Sequence, residues 1–202
     1  MPATDKIAAR IHRLGPGHAF TAKDFLDLGS RGLIDVTLSK LVAAGVVRRV
    51  ARGLYDSPRT SALLGGPLSP DMDQVARALA RRYRWRIIPE GAQAANALGL
   101  TTQVPARIVY LSDGPTRKVS VGQQAIYFKH ARPKEMRTEG PMSSLVIQAL
   151  RHLGRQAVGR EVIDHLRGRL SKSEKQRLLR DARYSTDWIY DAARRIAEEG
   201  AG

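Results

Sequence analysis

The sequence predicts an α+β chain in two parts, and three observations carry that expectation. Apolar residues recur at helical spacing near the N-terminus and again over the last sixty residues. Short β-branched runs bounded by Gly, Asp and Pro lie elsewhere in the chain. A stretch with Ser57, Pro58, Gly65, Gly66, Pro67, Ser69 and Pro70 interrupts both patterns, which places a boundary near residues 60–68. The expected parts are residues 1–60, a small domain, and residues 68–202, a larger α+β domain with an antiparallel sheet and a helical C-terminal third.

The elements follow in order. Thr4 caps a first helix to Leu14, in which Ile7, Ile11 and Leu14 make one apolar stripe, and Gly15-Pro16-Gly17 stops it. Thr21 opens a short second helix with Asp24 as the acid of a capping box; Phe25 and Leu28 face inward and Gly29 ends it. Ser30 caps a third helix to Ala44, closed by Gly45. On it Ile34, Leu38, Leu41 and Val42 share the inner face. Gly32, Val36, Ser39, Lys40 and Ala43 lie opposite, with Asp35 and Thr37 on the flanks. Val46 to Val50 reads as a strand, Ala51-Arg52-Gly53 as a turn and Leu54-Tyr55 as the return strand. Three helices followed by a two-stranded ribbon within sixty residues is the layout of a winged helix-turn-helix.

Past the boundary, Ser69-Pro70 reads as the cap and first turn of a helix to Tyr83, with Val75, Ala76 and Leu79 inward and Arg77, Arg81, Arg82 and Arg84 outward. Trp85–Ile88 reads as a strand and Gly91–Leu98 as a short helix ended by Gly99. Arg107–Leu111, Lys118–Val121 and Ala125–Lys129 read as an antiparallel meander. Four helices close the chain: Ser143–Leu153, Gly159–Leu166, Ser171–Ala182 and Thr186–Ala197.

Charge is the strongest bulk signal. Thirty-four Lys and Arg against nineteen Asp and Glu leave +15, a field that attracts polyanions. The excess is spread, at +5 over residues 1–60, +6 over 61–140 and +4 over 141–202, so no detachable basic tail accounts for it. Absence of cysteine excludes disulfides, thiolate metal sites and a cysteine nucleophile. No apolar run reaches the roughly twenty residues of a membrane span, and no signal-peptide core follows Met1, so a cytoplasmic protein without a membrane partner is expected.

The third helix and the ribbon carry the chemistry. A helix entering the major groove reads base edges there. Thr37, Ser39 and Lys40 can donate to bases or phosphates, and Val36 can meet a thymine methyl. Ser30 and Arg31, at the helix's positive end, suit a phosphate. Arg48, Arg49 and Arg52 suit the backbone or minor groove, with Gly53 making a tight tip. A protein-docking use of the same basic surfaces is the alternative.

Enzyme motifs are lacking: neither the nucleophile elbow nor the glycine-rich nucleotide loops occur. Asp113 and Glu90, with Lys118, are the carboxylates and lysine a metal-dependent nuclease would need, and their spacing fits no motif. Glu161 and His165 lie four apart on one helix, without a second histidine, and read as a helical ion pair rather than a metal site. The expectation is a non-enzyme with no catalytic or metal-binding residues and no cofactor.

The run from Leu38 to Tyr55, through Gly45-Val46-Val47-Arg48-Arg49 and Arg52-Gly53-Leu54, resembles the wing region of AbiEi-type antitoxin regulators of type IV toxin–antitoxin systems, which act in abortive infection. Asn96–Pro105 followed by Tyr110–Pro115 resembles a second block of that group, and the likeness spans roughly residues 20–130. The resemblance implies a two-domain transcriptional regulator without catalytic activity. Its N-terminal domain would bind inverted repeats in its own promoter as a repressor, and its C-terminal domain would counteract a cognate nucleotidyltransferase-like toxin.

Overall fold

The computed structural model describes residues 2–133 and 135–198. Eight α-helices and three sheets are present among them, a mixed α+β chain with antiparallel strand pairs. The chain divides into two units, Met1–Trp85 with Lys118–Ile126, and Arg86–Arg117 with Tyr127–Gly202.

The first unit begins with α1 (Ala3–Leu14), which buries Ile7 and Ile11. Pro2 rather than Thr4 occupies its cap position, and the Thr4 hydroxyl donates to Asp5 instead. A two-residue strand that the sequence pattern did not suggest, β1 (Ala19–Phe20), follows. The expected second helix is a single 3₁₀ turn, Ala22–Phe25. Asp24 closes it as expected of a capping acid, accepting from the Thr21 amide at 2.7 Å and the Thr21 hydroxyl at 3.2 Å. Helix α2 (Arg31–Ala43) comes next, then β2 (Arg48–Ala51) and β3 (Leu54–Asp56). The sheet order is β1-β3-β2, with Ala19 opposite Asp56 and Arg49 opposite Tyr55.

One apolar core joins these elements: Ile7, Ile11, Phe20, Phe25, Ile34, Leu38, Val47 and Tyr55. Phe20 meets Phe25 edge-on at 5.3 Å and stacks on Tyr55 at 6.3 Å, so three of the chain's few aromatic rings fix how the helices seat on the sheet.

The stretch expected to mark the boundary forms regular structure instead. Strands β4 (Thr60–Ser61) and β5 (Gly66–Pro67) form a small hairpin, and the Leu68 amide donates to the Arg59 carbonyl at 2.7 Å. Helix α3 (Met72–Tyr83) belongs to the first unit, so that unit extends past the boundary expected near 60–68. Its cap is Asp71, whose carboxylate accepts from the Asp73 and Gln74 amides at 3.0 and 3.2 Å, two residues beyond the expected Ser69.

In the rest of the chain, β6 (Ile87–Pro89) and α4 (Gly91–Ala97) precede β7 (Ile108–Ser112), β8 (Arg117–Val121) and β9 (Gln124–His130). Their order is β6-β7-β9-β8, so β9 rather than β8 lies beside β7 and the sheet is not a simple meander. The expected four helices are α5 (Pro141–Leu153), α6 (Arg160–Arg169), α7 (Lys172–Ala182) and α8 (Asp187–Ala197). With α4 they bury a second core that includes Leu98, Val146, Leu150, Leu166, Leu178 and Ile196. No helix among the described residues is long and apolar enough to cross a membrane.

Candidate nucleic-acid interface

Helix α2 is built so that one side must be buried and the other left open. The Ser30 hydroxyl accepts from the Leu33 amide at 3.4 Å and starts it. Ile34 and Leu38, both fully enclosed, hold it to the core. Ser30, Arg31, Gly32, Val36, Ser39, Lys40 and Ala43 are all exposed, so the face expected to point outward does so. Gly45, at φ +69°, turns the chain out of the helix, and the Val46 and Val47 amides both donate to the Leu41 carbonyl.

The following hairpin is fixed by pairing and by one buried ion pair. A register irregularity between Arg49 and Ala51 bends β2 next to the turn. Gly53 has φ +68°, and a Cβ there would lie 3.3 Å from the Arg82 guanidinium, so glycine suits both the turn and its neighbour. That guanidinium donates to the Arg52 carbonyl at 3.1 Å and braces the turn from α3. Arg49 and Arg52 are exposed and make no ion pair among the described residues.

Two expected contact residues point elsewhere. Thr37 is 5% exposed, and its hydroxyl donates to the Leu33 carbonyl at 2.8 Å, so it faces the helix's own backbone rather than an incoming ligand. Arg48 donates to both oxygens of Asp56, at 3.0 and 2.6 Å, and to the Leu68 carbonyl at 2.9 Å. Asp56 is 1% exposed, so Arg48 neutralises a buried carboxylate and is not a free cation of the hairpin. Arg31 is exposed and shares its charge with Asp35 at 2.8 Å, one helical turn on. The set that remains open is therefore Ser30, Val36, Ser39 and Lys40 on α2 with Arg49, Arg52 and Gly53 on the hairpin.

The arginines of α3 are expected from the sequence to face outward. Arg81 instead pairs with Asp24 at 2.9 Å and donates to the Ala19 carbonyl at 2.8 Å, while Arg82 reaches Arg52. Arg77 is exposed and paired with Asp73 at 2.6 Å, and Arg84, just past the end of the helix, is exposed as well. Burial, with Arg81 close by, pushes the His18 imidazole below the usual histidine range, against a smaller opposing pull from Asp24. The sequence also gave no sign that Leu33 and Val46 are 37% and 51% exposed beside Val36 at 54%.

The residues weighed for enzyme chemistry take structural positions. Asp113 accepts the Arg86 amide at 2.9 Å and finishes the sheet edge. Glu90 lies 3.5 Å from Lys129. His165 bonds the Leu98 carbonyl at 2.8 Å, which replaces the helical ion pair expected with Glu161. Among the described residues no cluster of three or more His, Asp and Glu is placed to hold a metal ion.

Residues 6–178 match a protein family described as "Family of unknown function (DUF6088)". No curated protein matches the chain. Among solved structures, the crystal structure of RV2827C protein from Mycobacterium tuberculosis is similar at 15% identity and a TM-score of 0.43, covering 96% of this chain and 76% of that one.

Proposed function

We propose a function for a chain that belongs to DUF6088, a family of unknown function: it binds duplex DNA through α2 and the β2–β3 hairpin, as a winged-helix transcriptional regulator. The observation that carries this reading is the element order α1, β1, 3₁₀ turn, α2, β2, β3, which leaves a small, polar helix face and an arginine-bearing hairpin both open to solvent. Gly32, Ser39 and Ala43 allow close approach, Val36 suits a thymine methyl, and Ser39 and Lys40 supply donors for base edges or phosphates. Arg49 and Arg52 then grip the backbone or minor groove. In keeping with the resemblance of Leu38–Tyr55 to AbiEi-type antitoxins, the target is DNA upstream of its own gene. The regulator's partner is a nucleotidyltransferase-like toxin that the chain counteracts.

The test is fluorescence anisotropy on duplex DNA from the upstream region. Replacing Arg49 and Arg52 together by Glu should abolish binding on every sequence. Ser39→Ala should instead change the preference among sequences. Binding that survives the double charge reversal rejects the assignment.

A second reading has an observation of its own. Leu33, Val36 and Val46 expose apolar surface on and beside the same helix, which suits a protein partner better than a phosphate backbone. Under it, Val36→Asp would abolish capture of an acidic protein while the chain shows no footprint on upstream DNA.

A further inference from the structure

The second unit carries a surface for which the DNA reading has no use. We propose that Tyr184, Arg137 and Arg151 form a binding site for single-stranded nucleic acid, with the tyrosine and its stacked arginine receiving a base and Arg151 receiving a phosphate. Tyr184 follows the end of α7 and is 64% exposed, an unusual position for a large ring in a chain with only 5% aromatic residues. The Arg137 guanidinium lies over that ring, 5.9 Å from its centre. Arg137, Arg151 and Tyr184 border one small depression whose floor includes Thr138 and Gln148.

The loop presenting Arg137 is held from beneath. Asp181, 6% exposed, accepts the Glu139 and Gly140 amides at 3.1 Å each. The hydroxyls of Thr138 and Ser144 are hydrogen-bonded to one another, and Ser144 donates to the Gly140 carbonyl at 3.0 Å. A guanidinium on so firmly tied a loop costs little to order when a ligand arrives.

Charge agrees with this geometry. Arg137 and Arg151 make no ion pair among the described residues. Of the carboxylates lining the depression, Asp181 accepts the two amides and Glu135 the Arg132 amide at 2.8 Å, while Glu139, on the same loop, is exposed. Arg177, Arg180 and Arg183 add exposed positive charge along the same helix and just after it. An acidic peptide would need only the cations. An accessible ring with a guanidinium stacked on it adds a platform for a base, and bases offer their faces in single strands, not inside a duplex.

The test uses the full chain and labelled single strands of about twelve nucleotides, oligothymidine in one arm and oligouridine in the other, with a duplex of the same length as control. Tyr184→Ala should weaken single-strand binding about five-fold or more and leave duplex binding unchanged, while Tyr184→Phe should retain it. Replacing Arg151 by Gln should flatten the log–log salt slope by about 0.7. A bromouracil-bearing strand should photo-cross-link to the peptide containing Tyr184, a readout independent of any variant's folding. The two arms tell DNA from RNA. Unchanged affinity in Tyr184→Ala, cross-links confined to other peptides, or equal displacement of the strand by polyglutamate would each overturn the site. Changes at Arg49 and Arg52 should not affect this binding, so its failure and that of the duplex reading are separable.

Discussion

Asp56 and its partner show how much depends on a single side-chain direction. Consecutive strand residues point to opposite faces, so only one of Arg48 and Arg49 can turn inward, and Asp56 stands opposite Arg48 in the register. That alternation was a signal already present in the sequence. Which of the two faces was buried depended on where Asp56 falls, and that is set by pairing across the turn. Arg48→Ala would leave a nearly enclosed carboxylate without its cation and should cost about 3 kcal/mol, toward the lower end for a buried pair because the Arg48 side chain is 30% exposed. Arg49→Ala, at an exposed position, should stay within about 0.5 kcal/mol. Urea denaturation midpoints compare the two directly, and equal midpoints would refute the structural role given to Arg48. Thr37 illustrates the same limit on a helix. It sits on the flank of the apolar stripe, where one position decides between burial and exposure, and it fell on the buried side.

Elements with a sustained period were readable, and those without one were not. α1, α2, α3 and the four C-terminal helices all repeat apolar residues over several turns, and each lies within a few residues of its expected span. Strands β1, β4 and β5 are two residues long and carry no alternation to detect. The placing of β9 beside β7 depends on contacts distant in sequence, which no local pattern records. The end of the first unit was missed for the same reason: Arg81 meets Asp24 across 57 residues. The start of α3 gives a direct test, because two capping residues compete for it. Asp71→Ala should destabilise by about 1 kcal/mol, since two first-turn amides lose their acceptor. Ser69→Ala should change stability by no more than a few tenths of a kcal/mol. If Ser69→Ala proves the costlier change in chemical denaturation, the helix begins where the sequence pattern first put it.

At the scale of the whole molecule, a net charge of +15 favours polyanions in general but says nothing about which cations do the holding. Many arginines are already committed: Arg10 to Asp27, Arg48 to Asp56, Arg81 to Asp24 and Arg167 to Asp164. On the proposed duplex face, Lys40, Arg49 and Arg52 remain exposed and outside any ion pair among the described residues. Each phosphate they neutralise releases counterions and contributes about −0.9 to the slope of log affinity against log salt. Three contacts give a slope of about −2.7 for one chain, and an inverted repeat occupied by two chains would double it. Replacing Arg49 and Arg52 by Ala should therefore flatten the slope by about 1.8 per chain, whereas Arg48→Ala should leave it as it was. Diffuse attraction by the overall charge would behave differently: every arginine variant, Arg48→Ala included, would shift the slope by a similar small amount. A titration series over salt concentration with these variants separates a built duplex face from a merely basic protein, and equal slopes for Arg48→Ala and Arg49→Ala would decide for the latter.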